Sequence, residues 1–183
     1  MERLSERGEA ALAYARAGCA VFPVYEWDGA AGRCSCGIDC TSPGKHPRPT
    51  DGLDAATTNP KVIRSWWESF PDAAVAICTG DVSGNLLVVD ADGPEGIESL
   101  EALQREHEDL PETPTAVTGG GGLHVYLRYP DGAHPRNRVR FRPGLDLRAS
   151  RGYVVAPVLF AHAGSSHLAG MLAGQVFHVG NVA

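Results

Sequence analysis

The sequence predicts an α+β domain: an antiparallel sheet with helices on one face, an open polar face, and an irregular loop inserted near the N-terminus. Three observations predict it. Residues 86–92, 123–128 and 144–148 alternate apolar and ionisable side chains with the two-residue period of a half-buried strand. Helical spacing of apolar residues appears elsewhere, at 5–17, 60–70 and after 93. Residues 27–52 have no period and hold three cysteines within seven positions.

In order along the chain, Ser5 is a plausible cap for a helix over 5–17, with Gly18 at its stop. Residues 19–25 read as a short strand that Pro23 either places at an edge or ends early, and Cys19 reads as a small core residue. Asn59 and Pro60 form a cap and first position for a second helix. Its Trp66 and Trp67 fall at core spacing, so packing is favoured over base stacking. The runs 73–79 and 86–92, joined by Gly- and Asn-bearing residues 81–85, predict a hairpin over 74–92. Gly93 and Pro94 open a third helix that ends before Pro111. Residues 152–157 predict a further buried strand. The expected organisation is one domain over 1–160 with the loop 27–52 inserted, and a C-terminal tail over 161–183 with little periodicity.

No apolar run approaches the ~20 residues of a membrane span, and the N-terminus has no signal-peptide core, so the expectation is a cytoplasmic protein. A net charge of −6 argues against indiscriminate coating of nucleic acid. The charge is unevenly placed, however. Residues 81–112 hold ten acids and one arginine, and residues 136–151 hold six arginines and one acid. Such polarity suits metal binding in one place and phosphate binding in another.

Two sets of residues carry chemistry. Cys34, Cys36, Cys40 and His46, with gaps of one, three and five residues, can close around one tetrahedral zinc ion. A 26-residue loop without a core needs a staple, and four protein ligands leave no position for water, so the role is structural. The second set lies on the strands. Asp90 and Asp92 project about 7 Å apart from the same face of an apolar strand. Adjacent strands would add Asp146, and three carboxylates repel one another unless a cation such as Mg²⁺ or Mn²⁺ joins them. Two ions about 3.5–4 Å apart activate a hydroxyl and stabilise leaving pyrophosphate. His124, with Arg128 and Arg148, would hold a triphosphate. Gly121 and Gly122, in the run of four glycines, would let it approach the backbone.

The motifs occur in a telling order: Cys-x-Cys…Cys…Pro-Gly-Lys-His-Pro, Asp-Gly-Leu-Asp-Ala-Ala-Thr-Thr-Asn-Pro, Trp-Trp, Val-Val-Asp-Ala-Asp, Thr-Gly-Gly-Gly-Gly-Leu-His-Val-Tyr, and Gly-Leu-Asp-Leu-Arg…Gly-Tyr-Val-Val-Ala-Pro. Together, from about Ala10 to Pro157, they resemble the bifunctional DNA primase/polymerase (prim-pol) domain of the archaeo-eukaryotic primase superfamily. The resemblance implies an RRM-like catalytic sheet and template-directed nucleotidyl transfer with divalent metal. It assigns Asp90 and Asp92 to the first metal motif, His124 to the nucleotide-binding motif and Asp146 to the third motif, and it favours zinc at the Cys/His set. Expected partners are a DNA template and primer, nucleoside triphosphates, and a replicative helicase in trans. The competing expectation is a non-catalytic, zinc-stabilised module that binds nucleic acid or replisome components and has a vestigial active site. Metal-dependent phosphodiester cleavage would use similar carboxylates but gives no reason for a triphosphate cradle.

Overall fold

Ser5 caps the first helix as its sequence suggests, its hydroxyl accepting from the Gly8 N–H at 3.2 Å. The computed structural model describes residues 3–37 and 39–157, and the backbone of residues 176–178. In chain order the main elements are α1 (Glu6–Arg16), β1 (Val21–Val24), β2 (Trp27–Asp28), β3 (Arg33–Cys34), α2 (Pro60–Ser69), β4 (Ala74–Cys78) and β5 (Leu86–Ala91). They continue with α3 (Gly93–Glu106), β6 (Thr115–Val117), β7 (Leu123–Arg128), β8 (Arg138–Arg142), β9 (Leu145–Arg148), β10 (Tyr153–Val155) and β11 (Val176–His178). This is a mixed α/β fold with antiparallel sheets.

The strands form two principal sheets rather than the one expected. The first has the order β1-β4-β10, so Pro23 does lie on an edge strand, where its missing N–H does no harm. The second has the order β11-β6-β7-β5-β9-β8 and is antiparallel except for the β11–β6 pair. The expectation for residues 161–183 lies outside the described residues apart from that short backbone strand.

The predicted hairpin over 74–92 does not form. Its two strands enter different sheets, joined by one isolated bridge between Gly80 and Leu86. The turn between them is anchored instead to β1. Ser83 Oγ donates to the Cys78 carbonyl at 2.6 Å and accepts from the Ala20 N–H at 2.9 Å. All five residues of β4 are buried, because it is the central strand of a sheet covered on both faces.

Three apolar clusters among the described residues hold these layers together, one of them made by Phe22, Val24, Ala74 and Ala76 of the smaller sheet. Between the sheets, Val75, Ile77 and Val154 pack with Leu86, Val88, Ala116 and Tyr126, and α1 and α2 close the side. Trp67 of α2 is 1% exposed and donates its indole N–H to the Ala73 carbonyl at 3.0 Å, so it is a core residue. On the opposite face of the larger sheet, Val89, Ala91, Val125 and Leu145 pack with Leu100 of α3. Burying a side chain such as Leu145 contributes about 1.5–3 kcal/mol. The helices therefore do not share one face of a single sheet: α3 covers the larger sheet, and α1 and α2 pack against the smaller. At the end of β5 that carries Asp90, Tyr153, Val154 and Val155 of β10 form part of the wall of a cleft.

Candidate active site

Strand register builds the site. β5 is flanked by β7 and β9, and Asp90 stands directly opposite His124 on one side and Asp146 on the other. Cross-strand neighbours on one face lie about 4.5–5.5 Å apart at Cβ, so three polar side chains form a row across three strands. The row works because β5 alternates: Leu87, Val89 and Ala91 face α3, which turns Asp90 to the other side.

Asp92 lies just past β5, exposed, as the residue before α3. Its backbone N–H donates to the Gly144 carbonyl at 2.8 Å, tying the start of α3 to the turn between β8 and β9. This approach requires glycine: Gly144 has φ +63°, and a Cβ at Gly96 would strike the Gly144 carbonyl. Asp92 and Asp146 thus reach one cleft, which has a volume of about 670 Å³ and is lined also by Asp90 and His124.

The row is tightly paired. Arg148 Nη2 lies 2.6 Å from Asp146 Oδ2 and 3.6 Å from Asp90 Oδ2, and His124 Nε2 lies 3.4 Å from Asp90 Oδ1. The other Asp146 oxygen accepts from the Arg140 backbone N–H at 2.7 Å. Arg140 has φ +48°, within an irregularity of the β8–β9 pairing, and that uncommon conformation aims its N–H at the carboxylate. Burial alone would raise the Asp90 carboxyl. The hydrogen bond and charge of His124, with Arg148 and Lys45, outweigh burial and hold it below its usual value of 3.8. Among the described residues, His124 Nδ1 is buried without a hydrogen-bond partner.

A family model described as bifunctional DNA primase/polymerase, N-terminal (Prim-Pol), matches residues 11–167. The chain belongs to the Prim-Pol family. The match takes in every sequence motif considered above and runs ten residues beyond Pro157. No curated protein matches the chain.

In this Prim-Pol chain the other expected site residues divide. Arg148 lines the cleft, but Arg128 does not. It pairs with Leu86 at the far end of the β5–β7 ladder, and its guanidinium donates to the carbonyls of Ser83 and Gly84. Strand alternation put Arg128 and His124 on one face. Between them, Tyr126 is buried in the core that also holds residues of α1, α2 and the smaller sheet. In the glycine run, Gly119 and Gly120 line the cleft, and Gly121 and Gly122 do not. Gly122 is needed for packing, since a Cβ there would collide with the Ala91 carbonyl at the end of β5.

The insertion has more structure than its composition suggests. β2 and β3 form a two-stranded ribbon, and Arg48 joins Glu26 at 2.8 Å while stacking over the Tyr25 ring at 4.3 Å. The sulfurs of Cys34, Cys36 and Cys40 lie within 4.8 Å of one another, and His46 Nδ1 is 3.8 Å from Cys40 Sγ. Tetrahedral zinc at 2.3 Å from each sulfur would space them about 3.8 Å apart, so the cluster suits a soft metal ion. Burial raises the Cys34 thiol, but hydrogen bonds led by the backbone of Cys36 and Gly44 bring it below its usual value, favouring thiolate.

Among the described residues, only these thiols bring three ligand atoms so close together. Asp90, Asp92 and Asp146 offer the hard oxygen donors that Mg²⁺ or Mn²⁺ prefers, but do not converge to the same distance. Arg148 compensates the charge of two of them. The sequence alone does not reveal two contributors, Lys45 and Arg140. Lys45 is hidden in an aperiodic loop, and Arg140 acts through its backbone N–H.

Proposed function

We propose that this chain is a template-directed nucleotidyltransferase, a DNA primase, a DNA polymerase or both, and that the Asp90 row is its catalytic centre. The observation that carries the reading is the register that sets His124, Asp90 and Asp146 side by side on β7, β5 and β9. With it goes family membership over residues 11–167. In this reading the larger sheet serves as the RRM-like catalytic sheet.

Asp90, Asp92 and Asp146 would hold Mg²⁺ or Mn²⁺, which supplies Lewis-acid stabilisation of phosphate oxygens and lowers the pKa of a bound hydroxyl. The protein's own residues do the positioning. His124, set by β7 and facing Asp90 through Nε2, presents a donor to the triphosphate. Arg148 stands close enough to both carboxylates to pass from carboxylate to phosphate oxygens as the nucleotide enters. Gly119 and Gly120 leave room at the cleft wall. The primer 3′ oxygen forms a bond to the α-phosphorus, the bond to the bridging oxygen breaks, and pyrophosphate leaves. Cys34, Cys36, Cys40 and His46 would hold structural zinc. DNA and nucleoside triphosphates are the substrates this reading requires, with a helicase acting in trans.

The test is primer synthesis and primer extension with ribo- and deoxynucleotides in Mg²⁺ or Mn²⁺, comparing the wild type with Asp90→Ala. Metal-dependent products from the wild type, lost in the variant, are expected. No incorporation on any template would refute catalysis by this chain. One observation favours the second reading, a non-catalytic binding module: Arg148 already neutralises the carboxylates without metal. That reading predicts single-strand binding indifferent to Asp146→Ala and to nucleotide.

A further inference from the structure

The segment between Cys40 and His46 is also a wall of the cleft. Ser42, Pro43, Gly44 and Lys45 line it opposite the carboxylate row, although the loop belongs to neither principal sheet. The wall lies in the chain between two residues of the cysteine–histidine set, Cys40 and His46, whose Sγ and Nδ1 are 3.8 Å apart, and the Lys45 N–H donates to the Ser42 carbonyl at 3.1 Å within it. It is fastened to the smaller sheet by Tyr153, whose hydroxyl donates to the Lys45 carbonyl at 2.9 Å. These contacts fix the Lys45 backbone and leave its side chain exposed.

The cations around the cleft are not equivalent. Arg148 is committed to Asp146 and Arg151 lies 3.1 Å from Asp54, while Arg140 is tied to Asp146 through its backbone N–H and, like Lys45, has no side-chain ion pair among the described residues. Among the described residues the Lys45 ammonium has neither a hydrogen-bond nor an ion-pair partner within reach. An exposed ammonium with no ion-pair partner among the described residues, on the wall of a cleft that also holds the carboxylates, is placed for an anion that enters there. A flexible lysine serves as a point charge for phosphate.

We propose that Lys45 binds the phosphates of the incoming nucleotide, and that metal held by the neighbouring thiols sets Lys45 in position. The cysteine loop is then a specificity element of the nucleotide site as well as a staple. His46, the residue after Lys45, passes the state of the metal site to Lys45 through one peptide unit. This inference rests on the proposed nucleotide site.

The test is equilibrium binding of a fluorescently labelled, non-hydrolysable deoxynucleoside triphosphate to the full chain in Mg²⁺. The proteins compared are the wild type, Lys45→Met, Lys45→Arg and His124→Ala. Lys45→Met should weaken binding roughly tenfold or more, the value of one charge-assisted hydrogen bond, and Lys45→Arg should restore most of it. Binding of the matching nucleoside monophosphate should change far less. Removing thiol-bound metal by a chelator, then restoring Mg²⁺, should weaken wild-type binding to the Lys45→Met level and leave Lys45→Met unchanged. If His124→Ala weakens binding and Lys45→Met equals the wild type, Lys45 has no such role and the nucleotide site stands. If both variants weaken binding but chelation acts equally on the wild type and Lys45→Met, the coupling to metal is wrong. If the wild type binds no triphosphate, the inference and the reading beneath it fall together.

Discussion

In the cleft, Asp90, His124 and Asp146 are set side by side by the ladders of three paired strands, each anchored by a buried apolar face. The thiols of Cys34, Cys36 and Cys40 come together on a loop whose regular structure is one two-residue ribbon. In the first arrangement Arg148 lies within ion-pair distance of both carboxylates and offsets part of their charge. A metal held by the second would contribute folding energy directly, because it would join ligands that are spread along the loop. In the proposed reading the sheet's carboxylates take a cation that arrives with substrate, and the loop keeps a structural ion.

The largest expected effect breaks the first region alone. Asp90→Ala should lower nucleotide incorporation at least about thousandfold, as loss of a metal-binding charge at a phosphoryl centre does, while circular dichroism stays native. Next is a test of the loop. Elemental analysis of the purified protein should find about one zinc per chain, and Cys34→Ser should drop it below half an equivalent. Less than about half in the wild type, without loss on purification, would contradict the site.

A smaller effect sharpens the role of Arg148. Asp90 and Asp146 side chains are only 19% and 20% exposed, so removing their shared cation leaves poorly solvated charges together. Arg148→Ala should lower the melting temperature by about 3–8 °C without divalent metal, and Mg²⁺ should recover more of it than it adds to the wild type. Equal Mg²⁺ shifts in the two proteins would mean that Arg148 does not stand in for the cation.

The smallest effect is acid sensitivity. Burial works against the Asp90 charge, but His124, Arg148 and Lys45 depress its carboxyl below 3.8, so its contribution to stability is present above that value. It is lost as pH falls through the depressed native value. Asp90→Asn should flatten the acid limb of thermal stability against pH; an unchanged limb would show that Asp90 contributes little there.

How much of this was legible depended on whether the signal was local. The ends of β5, β7 and β9 announced the site, because a carboxylate or imidazole on the polar face of an apolar strand is visible in a few residues. Their adjacency followed from antiparallel pairing. The separation of β4 from β5 was not visible, since both are short apolar runs around a turn sequence and nothing local says which sheet each joins. Arg128 misled for a related reason. Its alternation with His124 is real, but Tyr126 between them is buried in the core, and burial is a property of the whole fold. Gly122 looked like room for a ligand and proved to be room for the backbone of β5. Lys45 carried no periodic signal at all.

The central claim is that the row across β7, β5 and β9 is a nucleotidyl-transfer centre that reads a template. The most direct measurement offers the wild type and Asp146→Asn a labelled primer on templates differing in one base, each with a single nucleoside triphosphate in Mg²⁺ or Mn²⁺. The account predicts one-nucleotide extension that follows the templating base in the wild type and is absent in Asp146→Asn. Extension indifferent to the template base, equal extension by the variant, or shortening of the labelled strand would contradict it.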